Sequence, residues 1–286
     1  MSDDGWSRQE LARFLRSRRA RVTPEQVGFP AGAHRRTKGL RREEVAVLAG
    51  LSPTWYTYLE QGRDIRPSIQ VLDSLARVLD LSEDERRYMH TLAHGQVVNP
   101  QPLEAEEARG GTMRRVVGLM GDNLYPVYAT DVYCDLIAWN DAAVEWYDDW
   151  GAWPPEHRNM LRWLLVSPTA RERLPDWESD TRDIIARWRS EAARWPHDAR
   201  MKAKIAEFSG LSPEFAHMWR EHDVQEHRSL VRRFQHPDLG PQTLRMAFMT
   251  SPDEPLVGVV IHFPIHTTAV EQPPEDETIR KHREDN

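Results

Sequence analysis

The 286-residue chain is short of several things, and each shortage excludes a class of protein. It has one cysteine, Cys134. That rules out an intrachain disulfide and any multi-cysteine zinc site, and it fits a reducing compartment; Cys134 itself reads as a small strand residue. No apolar run approaches the roughly 20 residues that a membrane-spanning helix needs. The opening MSDDGWSRQE lacks a signal-peptide profile, so the expected location is cytoplasmic, with no membrane partner. There is no glycine-rich phosphate loop, no GxSxG elbow and no HExxH pair, and Cys134 carries no signature of an activated nucleophile. His217, His222, His227 and His236 crowd one region, but their spacing does not put ligands on one helical face. They read as solvated or core histidines, no metal site is expected, and a metal-dependent enzyme is the remote alternative.

Positive charge is also scarce overall, with a net charge of −7. Spread evenly, that would argue against a nucleic-acid partner. Residues 1–95, however, carry 16 Lys and Arg against 13 Asp and Glu, and between Arg8 and Arg42 there are eleven basic residues and two acidic ones. An arginine-heavy run of this kind favours contact with phosphates over a merely solvated face.

Beside that run lies the stretch Arg41 to Gln61, RREEVAVLAGLSPTWYTYLEQ. Val45, Ala46, Leu48 and Ala49 fall on one helical stripe. Gly50 follows, where a residue of positive φ ends a helix at least cost. Ser52 is a good N-cap and Pro53 suits the first helical position, so a second helix starts there. Tyr56, Leu59 and part of Trp55 can pack on the first helix, with Ala46 allowing close approach. That leaves Pro53, Thr54, Thr57, Tyr58 and Gln61 more exposed. Two short helices at a fixed angle, the second presenting its first turn, have the geometry needed to read base edges in the major groove; an ordinary helical hairpin is the bland alternative.

The flanks complete a five-helix unit. Ser7 to Glu10 has capping-box spacing, with Leu11, Phe14 and Leu15 recurring through a first helix over about 8–20. A long connection containing Arg35, Arg36 and Lys38 follows, placed to lie over phosphates or reach the minor groove. After the hairpin, Ile69, Leu72, Leu75, Ala76 and Leu79 share one face of a fourth helix. Ser82 with Glu85 opens a fifth, where Tyr88, Met89 and Leu92 close the small core. EEVAVLAGLS, then YTYLEQGR, then PSIQVLDSLARVL resemble the repressor-type helix-turn-helix family called XRE or Cro/CI.

Beyond the linker expected at 96–112, residues 113–266 form a second domain, and 267–286 lack an apolar period and read as a disordered tail. PVYATDVYCDLIAW reads as a β-hairpin, and Asn140 can cap the helix after it. Four helical stretches follow, at 157–166, 176–195, 199–210 and 213–222, with Ser212 capping the last. HRSLVRRFQHP, PQTLRMAFMTSP and PLVGVVIHFPI then supply three strands, the last apolar enough for a central position. The fold class is therefore an all-α five-helix DNA-binding domain plus an α+β domain, a five-stranded antiparallel sheet with inserted helices covering one face. Strand, strand, Trp-Asn and helix resemble the opening of a PAS domain.

AWN at 138–140, PPEHRNMLRWLL, LPDWE, SPEFAHMWREHDV and HPDLG, in that order, are similar to the MmyB-type regulators of actinobacteria and related bacteria. The resemblance implies a small-molecule receptor, with fatty-acyl-like ligands among those implied. After HDV, where relatives carry a Gly-containing basic strand, this chain has QEHRSLVRRF, so ligand-side contacts there are in doubt. Nine of the eleven tryptophans fall in this half, and aromatic lining is typical of a ligand pocket. Tyr128, Trp139, Trp146, Trp163, Met246 and Phe248 are the candidates for apolar contact, and Arg158, Asn159 and His222 for a polar head.

The combined expectation is a DNA-binding transcriptional regulator with no cofactor unless a bound fatty acid or similar apolar molecule. Pro53, Thr54 and Thr57 would touch base edges, Trp55 and Tyr58 the groove wall, and Arg42, Gln61 and Arg63 phosphates. One such head covers a half-site, so a homodimer on an inverted-repeat operator in double-stranded DNA is expected. The alternative is a second domain used only for dimerisation or a protein partner.

Overall fold

The structure, a computed structural model, describes residues 5–29, 39–95, 110–225, 230–252 and 254–265. Arg35, Arg36, Lys38, His227, most of the expected linker and the terminal tail lie outside them.

The N-terminal half holds five helices: α1 (Gly5–Arg21), α2 (Arg42–Ala49), α3 (Pro53–Glu60), α4 (Ile69–Val78) and α5 (Glu83–His94). Their shared core contains Phe14, Leu15, Val45, Tyr56, Leu72, Leu75 and Met89 with no exposed surface. Each such side chain contributes roughly 1.5–3 kcal/mol of burial energy. Three expectations change here. Ser7 does not open a capping box with Glu10, because α1 already begins at Gly5 and the Glu10 side chain is buried among charged partners. Ile69 is 61% exposed, since α4 starts there and its first residue projects past the packed stripe; Leu48 is likewise partly exposed. Ser82 and Glu85 do form the expected box, each bonding the other's backbone N–H.

The C-terminal half is built on one five-stranded antiparallel sheet of order β2-β1-β5-β4-β3, from β1 (Val127–Asp131), β2 (Leu136–Trp139), β3 (Leu230–His236), β4 (Gly240–Ser251) and β5 (Glu254–Pro264). The most apolar strand, β5, is central. Between β2 and β3 run α7 (Asp141–Trp146), α8 (Met160–Val166), α9 (Pro168–Arg173), α10 (Trp177–Ala192), α11 (Ala199–Leu211) and α12 (Pro213–Arg220). Helix α9 is one more than expected: SPTARERL shows too little apolar period, but Pro168 at its first turn and the buried Ala170 suffice. Asn140, Asn159, Asp198 and Ser212 each cap the helix that follows through a side-chain oxygen.

Both sheet faces are covered, not one. The inserted helices pack on the face bearing Tyr128, Phe234 and Leu244. A further helix before the sheet, α6 (Gly111–Leu119), lies on the other, with Met113 and Val117 against Val127, Ala129, Val257 and Val259. No helix among the described residues is long and apolar enough to cross a membrane.

Candidate functional site

The first part of the site is the exposed start of α3. Gly50 adopts φ +71° and Leu51 N–H reaches back to the Ala46 carbonyl at 2.8 Å, so α2 stops within one residue. Ser52 Oγ then accepts from Trp55 N–H at 3.1 Å and starts α3. Tyr56 and Leu59 face the core, Pro53, Thr54 and Gln61 are exposed, and Trp55, Thr57 and Tyr58 are half-buried.

Beneath this helix, Glu60 is wholly buried and accepts from Arg19 Nε at 2.5 Å and Arg42 Nε at 2.6 Å. Burial alone would raise its pKa; the bonds from Arg19 and Arg42 outweigh it and hold the carboxyl below its ordinary range. Arg42 is therefore a structural clamp between α2 and α3, although its side chain remains 42% exposed. Arg63 is exposed, its guanidinium 4.0 Å over the Tyr58 ring and its Nε 3.0 Å from Gln61 Oε1. Stacking of that kind pre-orients a cation next to α3.

The second part is a cavity of about 540 Å³, within the roughly 300–1,000 Å³ of ordinary ligand sites. Its floor is the sheet, through Tyr128, Met246, Phe248 and Val260. One wall is α10, through Ile184, Arg187 and Trp188, and β3 adds Arg232. Another wall is α5 of the helix-turn-helix unit, through Asp84, Arg87, Tyr88 and Thr91. Gly258 is what lets Phe248 lie flat: a Cβ there would sit 2.1 Å from the ring.

Of the expected ligand contacts, Tyr128, Met246 and Phe248 line this cavity. The others do not, and each for a visible reason. Trp146 and Trp163 are fully packed between sheet and helices with Tyr147, Trp150 and Phe234. Trp139 faces Trp150 and stands under Arg158, whose Nε and Nη2 are bound to the Trp153 and Gly151 carbonyls. Asn159 caps α8 and donates to Tyr133 O and Asp135 Oδ1. His222, in the left-handed region at φ +58°, belongs to the seam between the two halves.

That seam centres on Glu10. Its carboxylate accepts from Arg189 Nη1 at 2.5 Å and from the Tyr88 hydroxyl at 3.0 Å, with His222 Nδ1 at 3.1 Å. Burial pushes Glu10 up, but the His222 bond and the Arg189 charge hold it at about 2. Ser17 Oγ donates to Glu221 O at 3.0 Å, and Arg18 donates to His222 O. Tyr88 thus belongs both to this seam and to the cavity wall.

Arg187 and Arg232 also line the cavity and were not among the expected contacts. A signal existed. Alternation along LVRRFQH puts Arg232 on the inward face with Phe234 and His236, where a charge is out of place, and Ile184 and Arg187 are three apart on one face of α10. His236 accepts from Asp238 and Leu239 N–H, and His217 is exposed; no metal-capable cluster of three occurs among the described residues.

Comparison with known families gives two matches. Residues 112–272 match the family described as MmyB-like transcription regulator ligand binding domain, and residues 10–89 match a helix-turn-helix domain. None of the curated proteins compared matches the chain.

Proposed function

The chain belongs to the MmyB-like transcription regulators, and from that premise we propose that it is a sequence-specific DNA-binding regulator, acting in the cytoplasm, whose cavity senses a small apolar or amphipathic, fatty-acyl-like molecule. The observation that carries this reading is the shared wall. The same helix, α5, closes the core of the helix-turn-helix unit and borders the cavity, so an occupant touches both halves. A ligand shifts an equilibrium only by its differential affinity for the two states. Contact with α5 supplies such a difference, because tilting α5 alters the Tyr88–Glu10–Arg189 seam that holds the reading unit in place.

On the DNA side, the proposal assigns Pro53, Thr54 and Thr57 to base edges, Trp55 and Tyr58 to the groove wall, and Gln61 and Arg63 to phosphates. Arg42 adds a phosphate contact from its exposed edge while clamping Glu60, and Arg35, Arg36 and Lys38 supply a basic arm. A homodimer on an inverted repeat is the proposed working form, since one head spans only a half-site. The test is selection of bound duplexes from a random pool, followed by anisotropy titration of the selected site with protein before and after lipid extraction. Enrichment of an inverted repeat whose affinity changes on extraction supports the proposal. No enriched sequence, or no bound molecule by native mass spectrometry together with a melting temperature unmoved by a lipid panel, refutes it.

A further inference from the structure

The sheet face turned away from the cavity is only half covered. Helix α6 packs there on β1, β2 and β5. On the same face of β3 and β4, Val231 and Met249 are 55% and 57% exposed, and Phe263 near the end of β5 is 39% exposed. The register puts Val231, Arg245 and Phe263 in one cross-strand row, Ala247 beside Ile261 in the next row on that face, and Met249 beside Val259 in the row after. Arg233 shares the face, but its charge is neutralised by Asp176, whose Oδ2 accepts from Nε at 2.6 Å. Exposed apolar side chains are normally scattered singly; large ones sharing one flat surface mark an interaction site. Phe248 lines the cavity and its neighbour Met249 points the opposite way, so this surface lies across the sheet from the cavity and from α5.

Its shape selects the occupant. A face covered on one half only is a step one helix thick, about 10 Å. Two sheets pack face to face at that same distance, about 10 Å. A second copy turned about a two-fold axis along β4 therefore fits: its bare strands lie over those of the first, and each α6 stands outside the other's β3 edge. An axis running across the strands would drive the two α6 helices into each other. Three strands about 4.8 Å apart and roughly ten residues long present about 450 Å² in projection. That is below the ~800 Å² per partner of a standard stable interface, so two copies held here separate on dilution.

We infer that two copies of this chain join through the bare β3–β4–β5 face. Val231 of each copy meets Phe263 of the other, and the two Met249 side chains meet beside the axis, the self-complementarity that a two-fold contact demands. The two Arg245 side chains also face each other across the axis, the one unfavourable feature of the contact. This rests on the two-headed reading above and adds the surface that joins the heads. Because that surface is across the sheet from α5, joining there leaves the helix-turn-helix units on the outside of the pair.

The test is sedimentation equilibrium of the full-length protein from about 1 to 200 µM without DNA. A reversible monomer–dimer equilibrium is expected, tighter at 0.5 M than at 0.05 M salt because salt screens the facing Arg245 charges. Met249→Lys and Val231→Lys, at exposed positions, are each expected to weaken the dimer at least tenfold with the melting temperature unmoved. Leu211→Lys, at a 41% exposed position on α11, is the control and is expected to leave the dimer as it was. Arg245→Gln is expected to tighten the dimer at least twofold, a gain that damage to the fold cannot produce. A dimer loosened by salt or by Arg245→Gln overturns the two-fold placement. A dimer indifferent to Met249→Lys and Val231→Lys overturns the assignment of this face and leaves the two-headed reading to be decided by the duplex selection. A chain that stays monomeric at 200 µM overturns the proposal as well; if a chain ending at residue 266 then dimerises, the occupant of the face is the protein's own terminus.

Discussion

The Glu10 carboxylate on the first helix accepts a 2.5 Å bond from Arg189 on α10, with their side chains 3% and 1% exposed. Few placements of the two halves satisfy both charges, because a buried ion pair tolerates little displacement before one charge is stranded. The seam therefore ties the orientation of the DNA-reading unit to the helix that also supplies Arg187 to the cavity.

Glu10→Ala removes one side of that pair and leaves Arg189 buried without its anion. The expected loss is about 3–5 kcal/mol in urea unfolding. A double-mutant cycle with Arg189→Leu should recover part of it, since both charges then go together. A loss below about 0.5 kcal/mol, the level of an ordinary surface change, contradicts the seam.

Arg42 and Arg63 should separate cleanly. Arg63→Ala is expected to lower the salt slope of DNA binding by about one without moving the melting temperature, as for the loss of one phosphate contact. Arg42→Ala should also destabilise the protein by about 1–3 kcal/mol, because buried Glu60 loses one of its two guanidinium donors. Anisotropy titrations across a salt series, paired with thermal denaturation, distinguish the two.

Thr54→Ala should change which sequence is preferred while leaving the salt slope intact, since a base-edge contact carries discrimination of about 1–3 kcal/mol and no phosphate charge. Parallel titration of the selected duplex and a single-base variant is the measurement. A uniform loss on both duplexes contradicts the assignment of Thr54 to a base.

Gly258→Ala tests the cavity floor. The added methyl displaces the Phe248 ring, which now lies over the glycine, and reshapes the space beside Met246 and Val260. Affinity for decanoate, a fatty-acyl probe, is expected to fall at least fivefold, and far-UV circular dichroism to remain that of the parent. Unchanged affinity places the occupant's alkyl chain elsewhere.

Burial pushes His262 from 6.5 down to about 3, the Arg232 charge acting the same way and the Pro126 carbonyl opposing. The unfolded chain thus takes up a proton below pH 6.5 that the folded chain refuses until about pH 3. Stability from this group is full above pH 6.5 and is lost as pH falls through that window. Between pH 7 and 4.5 the loss is about 2–3 kcal/mol. Asp131 and Asp180, raised by burial to about 6, act in the opposite sense over the same range. The measurement is therefore the difference between parent and His262→Gln in urea unfolding at the two pH values, and the variant should show the smaller acid loss.

The reading helix was legible because its determinants are local. Gly50, Ser52 and Pro53 act on their immediate neighbours, and the stripe through Val45, Tyr56 and Leu59 follows from helical period alone. The central place of β5 was legible for the same reason, through its largely apolar sequence. The cavity was not. Trp146 and Trp163 are as apolar as any lining residue, and only tertiary packing decides that they fill a core while Tyr128 and Met246 border a space. Glu10 shows the limit most directly: three residues after Ser7 it mimics a capping residue, yet its partner lies 179 positions away.

The cavity's borrowed wall has one further consequence. Because Tyr88 and Thr91 come from the reading unit, the sensor half cut from its head presents an open trough instead of a chamber. Linkage then runs both ways: whatever factor the occupant imposes on operator affinity, the operator must return on retention of the occupant. On the proposed receptor reading, an operator bound by this protein would itself act as an effector, loading or emptying the cavity of the protein that reads it.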